Sequence, residues 1–403
     1  MAYPSKRLTD SLCLLANDRE ERTRTWPQGE AATAKEERAR GTASRFVPAE
    51  VPAPEGLGGM GQECCAMHIL VTGGAGFIGS NLVHFLLEHR PDCHLTVLDA
   101  LTYAGCRQNL ARWEGDPRFR FVEGSITDPE AVDQAMEGTQ ACLHLAAETH
   151  VDRSIHDGAQ FIATNVGGTQ VLLDGARRHG LERFVLVSTD EVYGSIPEGS
   201  FRETDPLCPS SPYSASKAGA DLLALAHHHT YGTPVLITRC TNNFGPYQYP
   251  EKLIPFFLSQ AMQDHELPVY GDGLQVRDWI DVEDHCEALL QVLEKGSPGE
   301  IYNVGAGHEV TNLEITQTLL DLLGKPKSLV RHVQDRPGHD RRYSVDTTRL
   351  RALGWKPRHE FRETLERTVD WYRRNQAWWE DLRRKREEYQ KFYEQQYAGR
   401  LGG

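Results

Sequence analysis

The stretch Ile69-Leu70-Val71-Thr72-Gly73-Gly74-Ala75-Gly76-Phe77-Ile78-Gly79 decides the fold. An apolar, β-branched run enters glycines at G-x-x-G-x-x-G spacing, and an amphipathic segment over 78–89 follows at once. That order predicts a strand, a tight turn and a helix, the opening of a dinucleotide-binding βαβ unit. Gly73 permits the turn, Gly76 lets the backbone approach a pyrophosphate, and Gly79 lets helix and strand pack closely, while the helix N-terminus attracts phosphate. Asp99 ends the next strand-like run, 20 residues beyond Gly79. A carboxylate there accepts hydrogen bonds from ribose hydroxyls and repels a 2′-phosphate, which favours NAD over NADP.

Outward from this turn, β-rich runs at 69–72, 95–99, 119–123, 141–146, 184–188 and 235–239 alternate with helix-length segments such as 78–89 and 167–179. The alternation predicts an α/β fold with a doubly wound parallel sheet of Rossmann type. After Pro246 the rhythm changes. Segments 250–262, 281–294 and 312–323 read as helices, with short strands at 268–271 and 300–304, giving a smaller α+β C-terminal substrate domain. The expected organisation is an NAD-binding domain over 67–246 to which later segments return, a mainly substrate-binding domain over 247–380, and a helical tail over 381–403. The end, 361–397, reads as a nearly continuous solvated amphipathic helix. Residues 1–66 mix both charge signs without a sustained apolar period and are expected to be a disordered extension; translation from Met60 or Met67 is the alternative.

The 403 residues carry a net charge of -13, which disfavours nucleic acid as a partner while leaving room for a local basic pocket. No apolar run approaches the roughly 18 residues of a membrane span, and the longest near the N-terminus, 12–16, is too short for a signal core. Nine cysteines without a C-x-x-C pair fit reduced thiols in a cytoplasmic protein. The Cys64-Cys65 pair lacks further ligands, and consecutive positions of His227-His228-His229 diverge around a helix and read as its surface, so no metal is assigned.

Two further segments carry chemistry. Tyr213-Ser214-Ala215-Ser216-Lys217 sets a phenol and an ammonium one helical turn apart, where Lys217 and a cationic nicotinamide would lower the phenol's pKa and make it a base. Ser188-Thr189-Asp190-Glu191-Val192-Tyr193-Gly194 closes the fifth strand, at the sheet edge that faces a ligand crevice. Hydride removal needs no carboxylate. Adjacent acids beside Tyr213 therefore point to a second step, one group taking a carbon-bound proton and one protonating a leaving hydroxyl.

From Met67 to Trp379 the chain resembles the dTDP-glucose 4,6-dehydratases, a family of extended short-chain dehydrogenase type. The resemblance rests on TGGAGFIG, HLAAETHVDRSI at 144–155, STDEVYG, PYSASK, the run 242–252 from Asn242 to Lys252, RDWIDVEDH, and 335–343 from Asp335 to Tyr343. It implies a lyase that converts dTDP-glucose to dTDP-4-keto-6-deoxyglucose and water. Tyr213, with Thr189 and Lys217, would take the C4 hydroxyl proton as hydride passes to NAD. Glu191 would then remove the C5 proton, Asp190 would protonate the departing C6 hydroxyl, and hydride would return to C6.

The resemblance also implies cofactor contacts at Phe77, Ile78, Asp99, Thr102, Ser125, Ile126, Ala146, Ala147, Thr164 and Asn243, beside the glycines, Tyr213 and Lys217. It implies sugar-nucleotide contacts at Thr149, Thr189, Asn242, Lys252, Leu253, Pro268, Tyr270, Arg277, Asn312, Asp335, Arg336, His339 and Tyr343. Guanidinium groups at Arg277 and in the 335–343 loop suit a diphosphate. The chain departs from the family pattern at Ser125, where an acid usually holds the adenine, at Thr149 for serine, and at Ala163 for an acid before Thr164. A homodimer paired through helices within 167–179 and 214–229 is implied too. Sister activities remain open at this stage: another nucleotide-sugar dehydratase, an epimerase, a decarboxylase, or a non-catalytic dinucleotide sensor.

Overall fold

The computed structural model describes residues 67–336 and 338–385. The expected disordered head, the Met60 start, the Cys64-Cys65 pair and the tail beyond Lys385 lie outside the described residues. A parallel sheet forms the centre, from β1 (His68–Thr72), β2 (His94–Asp99), β3 (Phe119–Glu123), β4 (Ala141–His144), β5 (Arg183–Thr189), β6 (Val235–Cys240) and, after the short β7 (Asn242–Phe244), β8 (Leu267–Tyr270) and β9 (Val276–Asp281), β10 (Ile301–Val304). The order is β10-β6-β5-β4-β1-β2-β3, every pair parallel. Its strands read as apolar runs because both faces are covered. Helices Phe77–His89 and Val282–Lys295 cover one face; Pro129–Met136, Thr169–His179 and Pro212–Tyr231 cover the other. The winding reverses between β1 and β4, so a crevice opens at the carboxyl ends of these two strands.

A separate apolar cluster gathers β8 and β9 with helices Leu253–Met262, Asn312–Leu323 and Phe361–Arg374. Two small sheets run through this region: β11 (Glu309–Thr311) with β9 and β7, and β12 (Val330–Val333) with β8.

Several boundaries differ from the sequence reading. The central sheet has a seventh strand, β10, because 300–304 pairs with β6 in spite of its late position in the chain. β4 stops at His144, and 145–149 runs on as cavity wall. Before Thr169 the helix is wound in a wider π turn over Ile162–Gly168. The final helix is broken at Asn375, whose Nδ2 donates to the Trp371 carbonyl at 2.8 Å beside its own backbone amide at 2.9 Å; Gln376–Lys385 starts afresh. Nor is this end a solvated helix, since Leu365, Val369, Tyr372 and Trp379 are buried in the second core. His227, read as surface, is buried against Gln170 and Thr233. Cys93, Cys142, Cys240 and Cys286 are buried free thiols, and Cys106 and Cys208 are free and more exposed. Among the described residues no helix is long and apolar enough to cross a membrane.

Candidate active site

At the switch in winding, Gly73 adopts φ +71, and a Cβ there would lie 2.7 Å from the Ala146 backbone. The turn and the chain beyond β4 touch, which only glycine allows. A Cβ on Gly79 would lie 2.1 Å from the Gly73 carbonyl oxygen, so the helix packs directly on the turn. Gly76 caps Phe77–His89 without any side-chain bond to its first amides. Asp99 accepts from the Ala75 amide at 2.9 Å and the Leu101 amide at 2.8 Å, fixing its carboxylate at the turn.

These parts line a cavity of about 450 Å³. Every residue expected to hold the cofactor faces it: Gly73, Gly76, Phe77, Ile78, Gly79, Asp99, Thr102, Ser125, Ile126, Ala146, Ala147, Thr164, Tyr213, Lys217 and Asn243. Thr189, Asp190, Glu191, Thr149, Asn242 and Lys252 line the same space. Leu253, Pro268, Tyr270, Arg277, Asn312, Asp335, Arg336, His339 and Tyr343 are not in this lining. Leu253 packs on the second core, Pro268 sits within β8 opposite Arg331, and Asn312 begins its helix with its amide on the Gln275 carbonyl. The others form a connected polar cluster. Tyr270 and Arg336 both donate to Asp152, at 3.4 and 3.3 Å. His339 bonds Asp335 at 2.6 Å, and Arg277 lies 4.2 Å over the Tyr343 ring.

The local sequence sets the reacting groups. Ser211 and Ser214 form a capping box, Pro212 occupies the first turn, and the helix that follows carries Tyr213 and Lys217 one turn apart. Lys217 Nζ donates to the Val187 carbonyl at 2.7 Å. Thr189 accepts from the Glu191 amide, donates to Asp190 Oδ1 at 3.3 Å, and lines the cavity with Tyr213. Asp190 is 3% exposed, and its Oδ2 has no hydrogen-bond partner.

Electrostatics divide these groups. Burial first, then the Glu191 charge, lifts Asp190 well above the usual carboxylate range, with Arg277 opposing. Burial also raises Glu191, but Arg336, Arg277 and Lys252 pull it back towards the ionised form. Burial and Glu191 push the Tyr213 phenol well up, with the nearby Thr189 hydroxyl opposing. The direction is upward, where the sequence predicts that Lys217 and a cationic nicotinamide lower the phenol. Lys217 is itself lowered by burial, with Asp221 opposing, and its ammonium is turned onto Val187.

The sequence reading missed supporting residues. Gln248, Tyr249, Glu251, Glu148 and Gln160 also line the cavity. His285 Nδ1 bonds Asn243 Oδ1 at 2.8 Å, which fixes that amide. Asn165 bonds both the Glu148 backbone and Ser216, tying the wall 145–149 to the Tyr213 helix. Glu148, Gln248, Tyr249, Glu251 and His285 stood inside motifs already singled out, whereas no such motif contains Asn165.

A model of the GDP-mannose 4,6 dehydratase family matches residues 70–368. The dTDP-glucose 4,6-dehydratase of Streptomyces niveus is 54% identical over 79% of this chain and 96% of its own. A crystal structure of DesIV, the dTDP-glucose 4,6-dehydratase of Streptomyces venezuelae, with NAD and TYD bound, superposes with a TM-score of 0.77 at 54% identity, covering 78% of this chain and all of that one. The UDP-glucose 4-epimerase of Thermus thermophilus in complex with NAD shares the fold at a TM-score of 0.71 but only 33% identity, over 76% of this chain and 99% of that one. With 54% identity over 79% of its length and 96% of the Streptomyces niveus relative, and the adjacent acids in the same cavity as the glycine turn, this chain belongs to the dTDP-glucose 4,6-dehydratase family.

Proposed function

We propose that the protein is an NAD-dependent dTDP-glucose 4,6-dehydratase that releases dTDP-4-keto-6-deoxyglucose and water. The observation that carries this reading is the placement of the adjacent Asp190 and Glu191 beside Tyr213 in the cavity that begins at the glycine turn, where burial raises both acids and three cations oppose the rise at Glu191. An epimerase or a decarboxylase needs the turn and Tyr213 but not this acid pair.

The residues fit a dinucleotide. Gly73 and Gly79 make a close-packed turn, the helix after Gly76 presents uncapped amides, and Asp99 stands at the end of β2. NAD bound there supplies a hydride acceptor that later serves as donor. Tyr213, as the phenolate that a cationic nicotinamide alongside would favour, takes the C4 hydroxyl proton, with Thr189 in the same cavity and Lys217 one turn away. Glu191 removes the C5 proton, made acidic by the C4 carbonyl, and Asp190 gives its proton to the leaving C6 oxygen. Lys252 donates to the Thr149 carbonyl at 2.8 Å and orders the sugar side of the cavity. Arg277, Arg336 and their neighbours in the polar cluster receive the nucleotide diphosphate. On this assignment 67–246 with β10 forms the NAD-binding part and 247–380 most of the nucleotide-sugar part.

We place the enzyme in the cytoplasm as a homodimer. Exposed Ile162, Leu222 and Tyr231, on the wide turn before 169–179 and on the helix Pro212–Tyr231, support burial of those helices against a second copy.

Turnover in D₂O tests the chemistry. The proposal predicts a product that has lost water and carries one solvent deuterium at C5. A product that has not lost water would mark an epimerase and overturn it.

A further inference from the structure

The helix Gln376–Lys385 lies apart from every motif that carries chemistry, yet Trp378 Nε1 donates to Asn109 Oδ1 at 3.0 Å. Asn109, 4% exposed in the 3-10 turn Arg107–Trp113, passes this contact on, its Nδ2 donating to the Ala75 carbonyl at 3.2 Å. The same carbonyl accepts the Cys106 amide at 2.9 Å. On the other side of that peptide, the Gly76 amide donates to the Gly73 carbonyl at 3.1 Å. The Ala75–Gly76 peptide is therefore held on both edges, and it fixes the residue that caps the first helix of the dinucleotide site.

An asparagine amide has a donor and an acceptor end of nearly equal shape, so its neighbours decide which way it faces. An indole N–H can only donate. Trp378 thereby forces Oδ1 towards itself and Nδ2 towards Ala75. The helix is also anchored where it does this: Trp378 and Leu382 pack with Tyr249, Tyr103, Ala104 and Cys106, and Ala104 and Tyr249 line the cavity.

We propose that Trp378 is a positioning residue for the dinucleotide turn, acting through Asn109. The proposal rests on the reading above that NAD binds at this turn. Neither residue lines the cavity, so the effect is on retention of the cofactor and not on the reacting atoms.

The test is the rate at which holoenzyme exchanges bound NAD for labelled NAD, with dehydration at saturating NAD and thermal melting as companions. Trp378→Phe keeps a ring and removes the N–H; it is expected to speed NAD release about three- to tenfold, the range one net hydrogen bond supports. The turnover number at saturating NAD stays as in the wild type. Asn109→Ala is expected to do the same, and the double variant to release NAD no faster than either single one, because both act on one contact. Unchanged NAD release in Trp378→Phe, even with a lower melting temperature, would reduce Trp378 to packing and overturn the proposal, as would effects that add in the double variant. Should Trp378→Phe not fold, Asn109→Ala decides by the same readout. Failure of the wild type to bind NAD at all would instead remove the cofactor reading itself.

Discussion

Glu191→Gln separates the two halves of the proposed reaction. The substitution keeps shape and removes the acid that is placed to take the C5 proton. Loss of a positioned base costs roughly 100- to 10,000-fold in rate, about 3–5 kcal/mol of barrier. Oxidation at C4 is a different matter, because it uses Tyr213. Glu191 is the strongest charge raising that phenol, so its removal lowers the Tyr213 pKa and lets the phenol act as base at lower pH. Rapid mixing with dTDP-glucose, followed by near-ultraviolet absorbance, reads both effects. Absorbance of reduced nicotinamide is expected to build up to a stable level, with its acid limb moved to lower pH, while the 4-keto-6-deoxy product forms slowly or not at all. Product at the wild-type rate, or an acid limb moved upward, would refute the assignment of Glu191.

Further outcomes follow from the same geometry. Asp190→Asn is expected to lower turnover by a factor similar to that for Glu191→Gln. The folded wild type keeps a proton on Asp190 that the unfolded chain has lost, so its stability falls as pH rises from the ordinary carboxylate range through the raised folded pKa; melting scans against pH should show the stability of the Asp190→Asn variant relative to wild type growing over that window. Gly79→Ala places a Cβ 2.1 Å from the Gly73 carbonyl oxygen and 2.7 Å from Gly74 Cα, both backbone, and is expected to cost about 1–3 kcal/mol in denaturant unfolding along with NAD binding. Asp221→Asn strips the fully buried partner from Arg239, whose Nε lies 2.8 Å from the carboxylate; unfolding should cost about 3–5 kcal/mol, and a change below about 1 kcal/mol would show that the pair is replaceable.

The cofactor half of the cavity was legible because it is local. The turn, Asp99 and the Tyr213–Lys217 spacing are each set within one βα unit or one helix, so period and glycine placement locate them. β10 was harder to place, since its partner β6 is about 60 residues away and pairing is a long-range fact. The break comes where the Asn375 side chain turns back onto the Trp371 carbonyl, a choice that composition does not reveal. Helical periodicity at the C-terminus showed an apolar stripe but not what covers it, and Trp379 and Tyr372 turned out to be core. The phenol's electrostatics were misjudged for a related reason. Spacing puts Lys217 near Tyr213, but where its ammonium points is set by the Val187 carbonyl on a neighbouring strand.

The most direct measurement incubates the purified protein with NAD and, in parallel, dTDP-glucose, UDP-glucose, CDP-glucose or GDP-mannose, and follows the alkali-induced absorbance of a 4-keto-6-deoxy sugar. The account predicts signal with dTDP-glucose, little with the other three, and none from Glu191→Gln. No signal with any sugar from protein shown to bind NAD would contradict it.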